Sequence, residues 1–139
     1  MIKRSSKNSI EHLLEKNNWH VLDIGCGYTA NKYANVVCDT QDLKDIYKDK
    51  VFIQLREKKL PFKDNEFDFV IASHVLEHVE DPAYFLNEIQ RVSSKGGYIE
   101  VPTKLEDNLV FENKNDHIWH IDFDDDENKI LISKKKKLF

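Results

Sequence analysis

Glycine is scarce in this chain, and its placement constrains the fold more than any other feature. There are four glycines among 139 residues. Gly25 and Gly27 end the run Val21-Leu22-Asp23-Ile24-Gly25-Cys26-Gly27, and Gly96 and Gly97 stand just before Tyr98-Ile99-Glu100-Val101. Trp19, Val21, Leu22 and Ile24 form a nearly continuous apolar run, the pattern of a strand covered by helices on both faces. Gly25 and Gly27 let the backbone turn sharply and let a ligand approach with no Cβ in between. Glycine therefore marks strand boundaries here rather than filling loops.

Reading outward from that turn predicts a regular alternation. Residues 9–17 form a short amphipathic helix, capped by Asn8 or Ser9, with Ile10, Leu13 and Leu14 on one face and His12 at the surface. Val36-Val37-Cys38 is a second strand ending at Asp39. The eight residues Tyr28 to Asn35 are too few for a regular parallel crossover, which usually needs about a dozen. Residues 41–48 suggest a short helix with Leu43, Ile46 and Tyr47 on one side. Val51-Phe52-Ile53-Gln54-Leu55 is a third strand and Phe67-Asp68-Phe69-Val70-Ile71-Ala72 a fourth. Asp81 caps a helix with Pro82 at its first position, where a missing N–H costs nothing. Phe85, Leu86, Ile89 and Val92 make its inward stripe. Ser93 to Gly97 stop it, and Tyr98 to Val101 form a fifth strand closed by Pro102. Residues 103–116 are polar and aperiodic. Residues 117–123 alternate with period two, 124–128 are a turn, and 129–133 are a last strand, so the end reads as an antiparallel hairpin at a sheet edge.

The composition narrows the class. At 40% hydrophobic and 33% charged residues, the chain reads as one globular domain over 1–139. No apolar run approaches the ~18 residues of a membrane span. The basic start, Met1 to Ser5, has no apolar stretch behind it, so no secretory signal is expected. Cys26 and Cys38 fall in or beside predicted buried strands and read as reduced core thiols, which points to the cytoplasm. A net charge of −4 argues against a nucleic-acid partner, and the basic block Lys134 to Lys137 reads as a solvated tail.

The order of motifs resembles the class I methyltransferases that use S-adenosylmethionine, of the small type 11 kind. The resemblance rests on Val21 to Gly27, on Asp39 after the second strand, and on Leu60-Pro61-Phe62 with Phe67-Asp68. It rests also on Ser73-His74-Val75-Leu76-Glu77-His78-Val79 and on the Gly96-Gly97 strand, so it covers roughly residues 19–102. It implies an α/β, Rossmann-like, mostly parallel sheet with helices on both faces, a shortened first crossover and a C-terminal antiparallel hairpin. The short crossover and the Glu100-Val101-Pro102 ending look like a compact subgroup associated with glycan or cell-surface metabolism.

The resemblance also implies roles. Gly25, Cys26 and Gly27 would lie against the cofactor, S-adenosylmethionine. Asp23 would bind its amino-acid end, directly or through water, or else make a structural loop bond. A carboxylate can accept two hydrogen bonds from a diol, so Asp39 suits the ribose; its plainer reading is a cap for the next segment. Tyr28-Thr29 replaces the family's third glycine, which makes Tyr28 a candidate cover. Leu55-Arg56 stands where the family often has an adenine-reading acid, leaving Leu55 and backbone groups for the adenine. Ser73 and His74 would touch the methionine end.

His78 is the candidate general base, since an imidazole titrates near neutrality, and Glu77 joins it as a candidate catalytic group. His74-x-x-Glu77-His78 also has the inverzincin spacing, but that motif belongs inside a helix, and here it follows a strand. A related cluster holds a divalent metal in some ubiquinone-pathway and small-RNA methyltransferases. By that resemblance His74, Glu77, His78 and His117 or His120 could do so, but the reading adopted is that no metal is used. Trp119 reads as core. The expected acceptor is an oxygen or nitrogen of a small molecule or glycan, and a homodimer or partner subunit would complete the site. Two rivals remain: a non-catalytic module that binds the cofactor and acts through a partner, and a nucleotide-dependent oxidoreductase. The acid ahead of the glycines argues against the second.

Overall fold

A computed structural model describes residues 5–101, 119–124, 126–127 and 129–134. Helix α1 (Lys7–Lys16) leads into strands β1 (Val21–Ile24), β2 (Val36–Asp39), β3 (Val51–Gln54) and β4 (Phe67–Ser73). A single 3-10 turn (Leu76–His78), helix α2 (Pro82–Val92) and strand β5 (Ser93–Glu100) follow, then β6 (Trp119–Asp124) and β7 (Lys129–Lys134). The five strands β1 to β5 form one sheet in the order β3-β2-β1-β4-β5, with every pairing parallel.

β1 is central and buried at all four positions, which explains its unbroken apolar character. Alternate residues serve opposite faces. Leu22 and Ile24 join Val70, Ala72 and the α2 residues Phe85, Ile89 and Val92 on one side. Val21 joins Val37, Phe69, Ile71 and the α1 residues Ile10 and Leu14 on the other. The expected doubly covered sheet is present, with α1 on one face and α2 on the other.

Several local expectations change. The cap of α1 is Ser6, whose hydroxyl accepts the Ser9 N–H at 3.2 Å, rather than Asn8 or Ser9, so the helix starts earlier. Residues 41–48 form turns, not a helix. There Asp39 Oδ1 accepts the Gln41 N–H and Asp42 Oδ1 accepts the Lys44 N–H, bonds that compete with helical ones. Leu43 and Tyr47 are buried while Ile46 is 47% exposed, so the three do not share one covered face. The first crossover is irregular, as its length required. Asp81 and Pro82 start α2 as predicted, with Asp81 Oδ1 accepting the Tyr84 N–H at 3.1 Å.

β5 starts at Ser93, directly at the end of α2, instead of at Tyr98. Its glycines lie inside the strand, not before it. A Cβ on Gly97 would stand 2.8 Å from the Val70 carbonyl oxygen, so close approach to β4 requires glycine there. The C-terminal hairpin forms with Ile121 opposite Ile132, but as a separate two-stranded sheet rather than on the edge of the main one. Its β6 strand lies near the 3-10 turn after β4.

Candidate active site

Strand register brings the predicted residues to one end of the sheet. Ile24 stands opposite Cys38 on one side and Ala72 on the other. Gly25, Asp39 and Ser73 each come one residue later, so they sit side by side where the three strands end. Asp39 is in turn opposite Gln54, which places Leu55 at the same end. Parallel sheets bind ligands outside these carboxyl ends.

The glycine turn is fastened to its neighbours. The N–H groups of Gly25 and Cys26 both donate to the Cys38 carbonyl, at 2.8 and 3.2 Å. The Gly27 N–H donates to Asp39 Oδ2 at 3.1 Å, and the Leu55 N–H to the Asp39 carbonyl at 2.8 Å. Gly25 and Gly27 have φ of +66° and +52°. A Cβ on Gly25 would collide with Val75, whereas one on Gly27 would meet none of the described residues within 4 Å. The first glycine is thus required by packing, and the second borders open space.

Tyr47 is a positioning residue that the sequence reading missed. Its hydroxyl donates to the Gly27 carbonyl and accepts the Ala30 N–H at 3.0 Å. Placing Tyr47 on a helix face hid this reach. Burial pushes the Tyr47 phenol up to about 12 and the Cys26 thiol up to about 11, so both keep their protons at neutral pH.

Asp23 is 5% exposed, and its Oδ2 accepts the Asn31 N–H at 2.8 Å. Burial raises its carboxyl to about 6, against the lowering effects of that bond and of the Lys50 charge. Lys50 is itself held by the carbonyls of Ala34 and Lys32 at 2.6 and 3.2 Å. Tyr28 is 70% exposed beside the turn.

Past β4, His74 takes φ of +56°, a left-handed conformation unusual for a side chain of this size. Its N–H donates to the Glu100 carbonyl at 2.6 Å, and its Nε2 stands 3.1 Å from Glu100 Oε1. The Tyr98 hydroxyl donates to Glu100 Oε2 at 3.2 Å. Glu77, in the 3-10 turn, is 1% exposed. His78 Nε2 lies 3.5 Å and His74 Nδ1 3.8 Å from Glu77 Oε1. Glu100 also escaped the sequence reading, although it is the one charged residue of an otherwise apolar strand end.

Among the described residues, no three His, Cys, Asp or Glu side chains are arranged to hold a metal ion. His117 lies outside the described residues, as does the side chain of His120.

A family model described as a methyltransferase domain matches residues 22–101. An uncharacterized protein of Methanocaldococcus jannaschii is 39% identical over 110 residues, covering 70% of this chain and 46% of the relative. The chloroplastic tocopherol O-methyltransferase of Arabidopsis thaliana is 31% identical over 117 residues, covering 68% and 33%. A crystal structure of an S-adenosylmethionine-dependent methyltransferase from Thermotoga maritima shares the fold, with a TM-score of 0.54. It is 24% identical, covering 66% of this chain and 46% of the other. This chain spans less than half the length of each of these proteins.

Proposed function

Since the chain belongs to the class I S-adenosylmethionine-dependent methyltransferases, we propose that it transfers a methyl group to an oxygen or nitrogen of a small-molecule or glycan-type acceptor. The observation that carries this reading is the meeting of the glycine turn, Asp39 and Ser73 at one sheet end, with open space over Gly27. The donor set suits the family's cofactor. Asp39 receives the N–H groups of Gly27 and Gln41 but keeps acceptor capacity for a ribose diol. Gly25, Cys26 and Gly27 offer backbone to the cofactor, Asp23 a carboxylate for its ammonium end, and Leu55 an apolar contact for its adenine. Ser73 and His74 border its methionine end, and exposed Tyr28 can cover it.

When bound, S-adenosylmethionine supplies a methyl group on a cationic sulfur. Gly25, Cys26, Gly27, Asp39, Ser73 and His74 would hold it, and it would supply that methyl to a lone pair of the acceptor. This chain's contribution is chiefly to hold the reacting atoms in line, about 3–3.5 Å apart. His78 takes the acceptor's proton where one must leave. The acceptor is a small molecule or glycan rather than a nucleic acid, and a second copy or partner subunit completes its pocket. None of the described helices is long and apolar enough to cross a membrane. Two buried free cysteines fit a reducing compartment such as the cytoplasm.

Titration calorimetry with S-adenosylhomocysteine, paired with an acceptor panel and radiolabelled cofactor, tests the reading. Binding plus labelled product is expected. Absence of binding would overturn it, and binding without turnover would favour a non-catalytic module.

A further inference from the structure

Glu77 is the most deeply buried carboxylate among the described residues, at 1% exposure, and neither of its oxygens has a hydrogen-bond partner among them. Such a group is costly: an uncompensated buried charge forfeits several kcal/mol of solvation. It lies in a 3-10 turn of one residue triplet between Val75 and Val79, next to the core residue Leu76. What surrounds the carboxylate is specific. His78 offers Nε2 at 3.5 Å and His74 offers Nδ1 at 3.8 Å, both toward Oε1. His74 is held at its other ring nitrogen by Glu100, at 3.1 Å, and its backbone is locked by the Glu100 carbonyl.

We propose that Glu77 is the positioning residue of the methyl-transfer site, whose buried carboxylate takes the ring N–H of His78 and of His74 and so fixes the tautomer of His78 and the orientation of both imidazoles at the end of β4. This deepens the proposed methyltransferase reading and rests on it for the word "site"; the histidine arrangement stands on the geometry alone. An N–H on His78 Nε2 directed at Glu77 sets Nδ1 as the nitrogen without a ring proton in the neutral imidazole. The present separations exceed hydrogen-bond length, as catalytic contacts often do before ligands are in place. Glu100 anchors the outer imidazole, and Tyr98 anchors Glu100 in turn. Glu77 touches no substrate in this scheme; it acts through the two histidines.

Long-range nitrogen–proton NMR of protein labelled at histidine nitrogen reads tautomers directly and needs no acceptor. Wild-type protein is expected to show His78 as the Nε2–H tautomer, and Glu77→Leu to convert it to a mixture with shifted His74 nitrogen resonances. Glu77→Gln, which keeps a weaker acceptor of the same shape, is expected to fall between the two. Unchanged His78 and His74 resonances in Glu77→Leu would overturn the proposal, as would a wild-type His78 carrying its proton on Nδ1. The Nδ1 outcome in the wild type overturns the proposal even if a variant does not fold. Calorimetry with S-adenosylhomocysteine separates the two levels. Wild-type protein that fails to bind would sink the methyltransferase reading while leaving the tautomer result intact.

Discussion

Asp23 carries the conflict between folding and binding at the scale of one residue. Its carboxyl is raised from 3.8 to about 6 by burial. Between those values the folded state binds more protons than the unfolded state, so stability falls as pH rises through the window. The full effect is on the order of 3 kcal/mol. Asp23→Asn is therefore expected to flatten the stability profile between pH 4 and 6 and to raise the melting temperature above pH 6. Thermal unfolding across pH checks this. In the role proposed for Asp23 the cofactor's ammonium group needs the ionised form, so wild-type affinity for S-adenosylhomocysteine should climb as pH passes 6. In Asp23→Asn that climb should vanish and binding should weaken, as read by calorimetry. Tyr47→Phe removes two hydrogen bonds at the turn and is expected to cost about 1–3 kcal/mol by urea unfolding, with weaker cofactor binding. The positions of Asp23, Gly25, Gly27 and Asp39 at the strand ends were legible because an acid, two glycines and a strand-ending acid form a local pattern. Tyr47 and Glu100 were not, because their reach depends on chain segments that only the folded sheet brings together.

At the level of elements, β1, β2, β4 and α2 followed the apolar pattern closely, since burial on both faces of those three strands leaves few polar positions to confuse the reading. The failures have one cause, which is competition from polar side chains or from neighbours distant in sequence. Asp39 and Asp42 drew the 41–48 backbone into turns. β5 began five residues early because β4 offered a paired edge up to Phe67, opposite Ser93. Gly97 is the price of that pairing, and Gly97→Ala should destabilise the protein more than Gly27→Ala. A Cβ at Gly97 meets the β4 backbone, whereas at Gly27 it meets open space and only the positive φ resists, by roughly 1–2 kcal/mol. Denaturant midpoints of the two variants check the order. The Arg91 guanidinium joins α2 to the Leu60–Asp64 loop through Glu88, Asp64 and the carbonyls of Leu60 and Phe62. Arg91→Met leaves Glu88 buried without its cation and is expected to cost about 3–5 kcal/mol, measurable by urea unfolding.

Across the whole molecule, the parallel order β3-β2-β1-β4-β5 explains how residues from 23 to 100 meet at one end. The sequence order of the motifs implied this sheet, but it did not show that the hairpin would stand as its own sheet, because period-two alternation fixes a strand's faces and not its partners. Ligand binding to the folded state alone also acts on the entire chain. At a hundredfold excess over its dissociation constant, S-adenosylhomocysteine should add about 2.7 kcal/mol. The melting temperature should then rise by roughly 5–10 °C, and differential scanning calorimetry reads it.

The irregular first crossover has a consequence for adaptation. A turn seated on a helix inherits its geometry from many residues, and its grip on a ligand changes little with any one of them. Here the same turn is suspended from a phenol, a carboxylate and one carbonyl of β2. Exchange of a single side chain can retune how firmly the cofactor is held while the sheet beneath stays as it is, so affinity and fold can drift independently in this chain.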